Sequence, residues 1–127
     1  MSVLEEIKHD AVGLAIIKEW LGDGGKPVDR HLAEHRATIC LCCPFNVKTA
    51  LSAFKQPVAD AIKSHLEVKD KSGVSTEYDA DLFTCRLCSC QINLKIWTPF
   101  EHLRAHTTDN ELKKLPVFCW LRKESHA

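Results

Sequence analysis

The feature that most constrains this chain is a pair of short cysteine motifs. Cys40 and Cys43 form one Cys-x2-Cys motif, and Cys85 and Cys88 form the other. Each motif places two sulfurs on one tight turn, and two such turns supply the four thiolates that hold a zinc ion at Zn–S distances of about 2.3 Å. We therefore predict a structural zinc ion bound by these four side chains, in an element related to zinc knuckles and ribbons.

The other three cysteines leave alternatives open. Cys90 follows the second motif closely and Cys119 precedes Trp120, so both are second-tier candidates for metal ligands. Six thiolates also suit two zinc ions with shared sulfurs, or an iron–sulfur cluster, and the plainest alternative is a set of buried free thiols. Cys42 lies between two predicted ligands and is expected to take no part.

Length and composition narrow the class of protein. The chain has 127 residues, which suits a single domain, and its cysteine count, seven, is odd. No secretory pattern precedes the cysteines, so we expect a reducing, cytoplasmic location in which thiols remain available to metal. No apolar run approaches the roughly 20 residues of a membrane helix. The 17 basic and 17 acidic side chains balance, which gives no general attraction for nucleic acid or for a membrane surface.

The N-terminal segment has a helical pattern. Apolar residues recur at three- and four-residue steps through residues 2–21, which predicts an amphipathic helix, and Gly22 is expected to end it. A glycine-rich link follows. We therefore treat residues 1–25 as an N-terminal helix and link, and residues 26–127 as the zinc-stabilised part of one domain.

Two further helices are predicted before the second cysteine motif. Asp29 is a good N-cap for a helix that runs toward Ile39, with Leu32 and Ile39 facing inward. Residues 47–69 carry apolar side chains at helical spacing, and Pro57 should break or kink this helix because it lacks a backbone donor. Residues 69–79 are polar and are expected to form an exposed loop.

The C-terminal half is predicted to contain a short β element. Apolar and polar residues alternate through residues 91–97, which is typical of a half-buried strand. Thr98 and Pro99 then favour the start of a helix that runs to about His106, and Thr108 or Asp109 is expected to cap a further turn. The predicted fold class is therefore α+β, mostly helical, with zinc-knuckle or ribbon-like elements.

The order of the cysteine motifs resembles that of small uncharacterised proteins encoded by bacteriophages and prophages. Residues 20–25 and 43–46 are also similar to that group. The resemblance implies a phage or prophage origin and a metal-stabilised fold, implies no established activity, and includes Cys90 and Cys119 in the pattern. The residues that carry it are Cys40, Cys43, Cys85, Cys88, Cys90, Lys95, Cys119 and Trp120.

Two histidine motifs suggest other metal chemistry. His31, Glu34 and His35 match the H-x-x-E-H signature of one class of zinc metalloproteases, but no third ligand is evident. His102 and His106 follow the second cysteine motif at nearly the spacing of a Cys2His2 zinc finger. On a capped helix, we expect these two histidines to be exposed rather than bound to metal.

These observations favour a non-enzymatic, zinc-stabilised module that binds a viral or host protein. The helix at residues 2–21 is the predicted docking or self-association element, unless its apolar stripe only covers the core. Such a protein would be a virion component or a modulator of a host protein, in the virion or the host cytoplasm. The alternative is a nucleic-acid-binding zinc module that uses Arg86, Lys95, Trp97 and Arg104. A metal-dependent hydrolase at the H-x-x-E-H motif is the least favoured function.

Overall fold

The computed structural model describes residues 14–49, 52–69, 73–87 and 90–125, without the side chains of residues 52–55 and 68–69. The chain is mostly helical, with one small antiparallel sheet, and this confirms the predicted α+β class. The elements are α1, described over residues 14–22, α2 (Arg30–Leu41), β1 (Asn46–Val47), α3 (Ser52–Lys69), a 3-10 turn (Asp79–Asp81), β2 (Thr84–Cys85), α4 (Ile92–Lys95), α5 (Phe100–Ala105), α6 (Asp109–Lys114) and α7 (Trp120–Glu124).

The described part of the N-terminal helix packs into the same core as the rest of the chain. Ile16 and Trp20 are buried there, and the Trp20 indole donates a 2.8 Å hydrogen bond to the Lys26 carbonyl. Gly22 is the last helical residue, so the helix ends where the sequence predicts. The chain turns at Gly25, whose φ of +66° favours glycine. The Cβ of any other residue at this position would lie 3.1 Å from the Leu66 side chain. Residues 1–13 of the predicted helix lie outside the described residues.

The prediction for α2 is confirmed at its start and only in part at its inward face, where Ile39 packs against the core without being fully buried. The Asp29 carboxylate accepts a 2.9 Å hydrogen bond from the Leu32 N–H, as an N-cap should. The helix ends at Leu41, and Leu32 and Ile39 are only partly buried. The buried residues of this helix are instead Ala33, Arg36, Ala37 and Cys40. Two alanines on that face let α2 approach its neighbours closely, which leaves the larger Leu32 and Ile39 at the edges.

Residues 52–69 form a single helix that contains Pro57, so of the two predicted alternatives, a break and a kink, the break does not occur. Pro57 is exposed. Leu66 and Ala59 on the opposite side are buried in the core and hold the helix in place.

The sheet does not form at residues 91–97, where the alternating pattern predicted a strand. β1 and β2 pair antiparallel, with Asn46 opposite Cys85, whereas the predicted strand at residues 91–97 contains the short helix α4. Only Gln91 makes a β-bridge, to Thr84. The strand prediction fails because residues 92–98 are all buried, and alternation of residue type indicates a strand only where one face meets water.

The remaining helices are short and start close to their predicted positions. α5 begins at Phe100 after Pro99, but Thr98 does not cap it, because the Thr98 hydroxyl is buried and donates to the Leu94 carbonyl. In α6, Thr108 forms a reciprocal capping box with Glu111, which confirms the predicted cap. Within the described part of the chain, no helix is both long and apolar enough to cross a membrane.

A fully buried arginine joins three of these segments. Arg36 on α2 is 0% exposed, and its guanidinium bonds both carboxylate oxygens of Glu124 on α7, at 3.1 and 2.7 Å. It also donates to the carbonyls of Ile96 and Thr98, and it stacks 4.2 Å from the centroid of Trp120. From α2, the guanidinium therefore satisfies two buried acceptors on the 96–98 segment while it neutralises a carboxylate on α7.

Replacement of this arginine should destabilise the whole fold. We expect Arg36→Ala to lower the free energy of unfolding by about 3–5 kcal/mol, because it leaves a carboxylate and two buried carbonyls without their donor. Arg36→Lys should recover only part of the loss, since an ammonium cannot reproduce the bidentate fork. Urea unfolding measures both variants. Lys123→Ala, at an exposed position of α7, is the control and should change stability by less than about 0.5 kcal/mol; equal stability of Arg36→Ala and this control would contradict the role assigned to Arg36.

Candidate functional site

The first cysteine motif lies where α2 ends. Cys40 occupies the last turn of the helix, and the Cys43 N–H donates to the Cys40 carbonyl at 3.1 Å. A second turn follows at once, closed by the Asn46 N–H on the Cys43 carbonyl at 3.1 Å. Within it, the Phe45 N–H points to the Cys43 sulfur at 3.4 Å. The sulfur of Cys43 therefore already accepts a backbone hydrogen bond, which favours the thiolate form.

The sheet brings the second motif beside the first. Cys85 on β2 pairs with Asn46 on β1, and Asn46 lies three residues after Cys43. The Cys85 N–H donates to the Cys90 carbonyl at 2.9 Å. Cys88 itself lies outside the described residues. Three of the four predicted ligands are therefore described, and all three stand at this end of the sheet.

A third chain segment reaches the same place. Cys119 directly precedes α7 and is buried, and the indole N–H of Trp120 donates to the Cys40 sulfur over 3.2 Å. The spacing of cysteines alone gives no reason to connect residue 119 with residue 40. The sequence signals for it are the position of Cys119 before Trp120, which makes it a second-tier candidate, and the Cys-Trp pair in the resemblance.

Burial controls the chemistry of the thiols. Burial raises the pKa of Cys40 to about 11, and the ammonium of Lys95 and the hydrogen bond from Trp120 act against this rise. At neutral pH the thiol without metal is therefore protonated, so an incoming metal ion must displace that proton. Lys95 is only 5% exposed, with its ammonium 5.5 Å from the centroid of Trp120.

Four thiols are close enough to influence one another. Burial is the main cause that raises the pKa of Cys43, and the charges of Cys85 and Cys119 raise it further, as they do for Cys40. Lys95 lowers the pKa of both Cys40 and Cys43. We call Cys40, Cys43, Cys85 and Cys119 the thiol cluster. Among the described residues, no group of three or more His, Cys, Asp or Glu side chains has the geometry to hold a metal ion.

The other cysteines are peripheral to this cluster. Cys90 is partly buried and contributes its carbonyl to the turn of the second motif, and Cys42 is exposed at the end of α2.

The H-x-x-E-H motif lies on the outside of α2. His31 and His35 are exposed, and the Glu34 carboxylate lies 3.7 Å from the Arg30 guanidinium, one helical turn earlier. Glu34, which would have to act as the base of a hydrolase, therefore forms an exposed ion pair with Arg30.

Two of the four residues named for nucleic-acid contact are buried. Trp97 is 1% exposed and Lys95 5% exposed, so neither is open to a base or a phosphate. Arg86 is exposed, whereas the Arg104 guanidinium bonds the Thr107 carbonyl and the Asp109 carboxylate. This arrangement disfavours the nucleic-acid alternative.

The two histidines of α5 contact carboxylates of the N-terminal helix and its link. The Glu19 carboxylate lies 3.3 Å from His102 Nδ1 and 3.3 Å from His106 Nε2, and Asp23 lies 3.2 Å from His102 Nε2. Both histidines are partly buried, which differs from the exposure expected for them. The hydrogen bond from His102 is the largest cause that lowers the pKa of Glu19, and the nearby His106 lowers it as well. These contacts join α1 to α5.

Comparisons with protein-family models, with curated proteins and with solved structures found no match to this chain.

The Glu19 contacts should make the stability of the chain depend on pH. Because the folded state lowers the pKa of Glu19, its contribution is present above the ordinary carboxyl pKa and is lost as the pH falls through the lowered value. We expect Glu19→Gln to reduce the melting temperature more near pH 6 than near pH 2, because the wild-type carboxyl loses its charge as the pH falls through its lowered pKa. Glu101→Gln on α5, at an exposed position, is the control. An equal difference at both pH values would show that the effect of Glu19 is not electrostatic.

Proposed function

We propose that this chain is a non-enzymatic, zinc-stabilised module that binds a protein partner. Cys40, Cys43, Cys85 and Cys88 are its proposed zinc ligands. The observation that carries the proposal is the thiol cluster, in which three separate segments of the chain bring thiols together beside the buried Lys95. Zinc is favoured over harder cations because thiolates are soft ligands.

The surroundings of the cluster suit thiolates bound to metal. The Phe45 N–H and the Trp120 indole each donate to a ligand sulfur, and donors around a metal site orient its ligands and stabilise their charge. Four thiolates around one Zn²⁺ carry a net charge of −2, so a cation nearby reduces the cost of burying the site. Lys95 supplies that cation, since it lowers the pKa of two of the thiols.

Cys119 is the alternative fourth ligand. It stands near Cys40 and Cys43, whereas Cys88 is the partner of Cys85 in the predicted motif. The proposal keeps Cys88 in the site and gives Cys119 a neighbouring position, from which it binds only if a second ion shares the sulfurs. Cys90 has the same second-tier standing.

The protein-binding part of the proposal rests on apolar side chains that the fold leaves at the surface. Leu14 on α1 is exposed although Ile16 and Trp20 beside it are buried, and Val117 and Phe118 are exposed just before Cys119. The resemblance to phage and prophage proteins adds the proposed origin, with a viral or host protein as the partner in the virion or the host cytoplasm. Self-association through the helix at residues 2–21 is part of the same proposal.

Serine substitutions test the ligand set directly. We expect Cys40→Ser and Cys85→Ser to lose zinc and to unfold or aggregate, because structural zinc contributes roughly 10–16 kcal/mol of apparent binding energy in small modules. Cys42→Ser should keep one zinc per chain. Native mass spectrometry gives the stoichiometry, and comparison of Cys88→Ser with Cys119→Ser identifies the fourth ligand. A folded Cys40→Ser protein, in which both it and the wild type contain no metal, would overturn the zinc proposal; iron with sulfide would replace zinc by a cluster.

Trp→Phe variants at Trp120 and Trp97 test the hydrogen bond to Cys40, the first as the test and the second as its control. Trp120→Phe keeps an aromatic ring beside Arg36 but removes the N–H that donates to the sulfur. Loss of this bond should weaken zinc binding about tenfold, the equivalent of roughly 1.4 kcal/mol. Trp97→Phe is the control, because its indole N–H has no hydrogen-bond partner among the described residues. Competition with a chromophoric chelator measures both affinities, and equal weakening in the two variants would assign the effect to lost packing instead.

A further inference from the structure

Two kinds of contact attach α1 to the rest of the chain. Ile16 and Trp20 are buried in the apolar core. Glu19 and Asp23, four residues apart, place their carboxylates against the two histidines of α5. Apolar packing does not respond to the charge of an imidazole, whereas a contact between a carboxylate and an imidazole does. The pH can therefore change one part of the attachment while the other part remains.

The position of His102 favours a charged ring. His102 Nδ1 lies 3.3 Å from Glu19 Oε2, and His102 Nε2 lies 3.2 Å from Asp23 Oδ2. An ionised carboxylate can only accept a hydrogen bond, and a neutral imidazole has one N–H and one lone pair. A neutral ring therefore turns its lone pair toward one of the two carboxylates, whereas an imidazolium donates to both. The side chain is only 13% exposed, so water replaces little of a lost contact.

The contact of His106 depends on charge for a different reason. His106 Nε2 is buried and lies 3.3 Å from Glu19 Oε2, but it has no partner of hydrogen-bond geometry among the described residues. A neutral His106 therefore gains little from Glu19, while a protonated one is attracted by its charge. His106 is also the C-cap residue of α5, and the last carbonyls of a helix favour a cation.

We call Glu19, Asp23, His102 and His106 the carboxylate–histidine cluster. The hydrogen bond from His102 is the largest cause that lowers the pKa of Glu19, and carboxyl groups are ordinarily ionised above about pH 5. Between about pH 6 and pH 8, the imidazoles are therefore the groups whose charge changes. The other charged side chains described on α1, on α5 and on α7, which packs against α5, are exposed or contact groups elsewhere: Lys18, Glu101, Arg104, Arg122, Lys123 and Glu124.

We propose that the carboxylate–histidine cluster is a pH-sensitive switch that controls how firmly α1 is held against α5. Near pH 6 the protonated imidazoles hold both carboxylates. As the pH rises toward 8 the imidazoles become neutral, the carboxylates lose their partners, and α1 opens more often, which exposes Ile16 and Trp20. Each contact between partly exposed charges contributes modestly, so three of them together should change the opening of α1 about tenfold. The switch requires neither a metal ion nor a partner, and it therefore goes beyond the proposed function.

Amide hydrogen exchange of the full-length wild-type protein measures the opening of α1. Mass spectrometry follows the peptide that contains residues 14–22 at pH 6 and at pH 8, and each rate is divided by the exchange rate of an unstructured peptide at the same pH, so that only the opening equilibrium is compared. We expect the protection of α1 to fall about tenfold between pH 6 and pH 8. The reference segment is α6, which contains no histidine and should keep its protection.

Histidine variants assign the effect to the cluster. The double variant His102→Gln/His106→Gln has no imidazole to protonate, so its α1 should exchange at both pH values as wild-type α1 does at pH 8. His35→Gln, at an exposed position of α2, is the matched control and should keep the wild-type pH dependence. Equal protection of wild-type α1 at the two pH values would overturn the switch, and this comparison needs no variant to fold. Loss of protection in α6 together with α1, or a double variant that keeps the pH dependence, would overturn it as well.

Discussion

The guanidinium of Arg36 lies between α2, the 96–98 segment and α7, with no exposure to water. A charge in this position is costly unless every donor finds an acceptor, and here a carboxylate and two carbonyls provide them. Because removal of any one partner leaves a buried charge or a buried carbonyl unsatisfied, the three segments are held in one arrangement. Apolar packing alone tolerates small shifts between helices, whereas a bidentate ion pair does not.

This arrangement also positions the thiols. Cys40 follows Arg36 by four residues on α2, and Glu124 follows Trp120 by four residues on α7, so each pair lies on one helix face. Arg36 contacts Glu124, and Cys40 accepts from Trp120. The two contacts lie one helical turn apart, between helices that run in opposite directions. The Trp120 ring takes part in both, because it stacks on the Arg36 guanidinium and donates to the Cys40 sulfur. The position of Cys40 therefore depends on the ion pair between Arg36 and Glu124.

The sequence predicts those features of the fold that depend only on contacts between residues close together in the chain. The caps at Asp29 and Thr108 follow from side chains that bond the nearest backbone, and both are present. The burial of Arg36 could not be predicted in this way, because arginine is rarely buried. Its partners, two carbonyls and a carboxylate, come from distant segments, and the residues next to Arg36 in the sequence do not indicate them. The strand predicted at residues 91–97 fails for a related reason: the alternation there records residue type, while burial on all sides is a tertiary property. The approach of Cys119 to Cys40 likewise depends on how α7 packs, and the Cys-x2-Cys spacing carries no information about it.

The backbone contacts between β2 and the start of α4 link the thiol cluster to the core. Thr84 bridges to Gln91, and the Cys85 N–H bonds the Cys90 carbonyl, so the strand that carries Cys85 is attached to the residue that precedes α4. Lys95, at the end of the same short helix, lies beside the thiols and lowers the pKa of Cys40 and Cys43. A helix of four residues has too few internal hydrogen bonds to be stable alone. The conformation of α4 must therefore come from the segments on either side of it, so an ion bound to the thiols would also stabilise α4 and the position of Lys95.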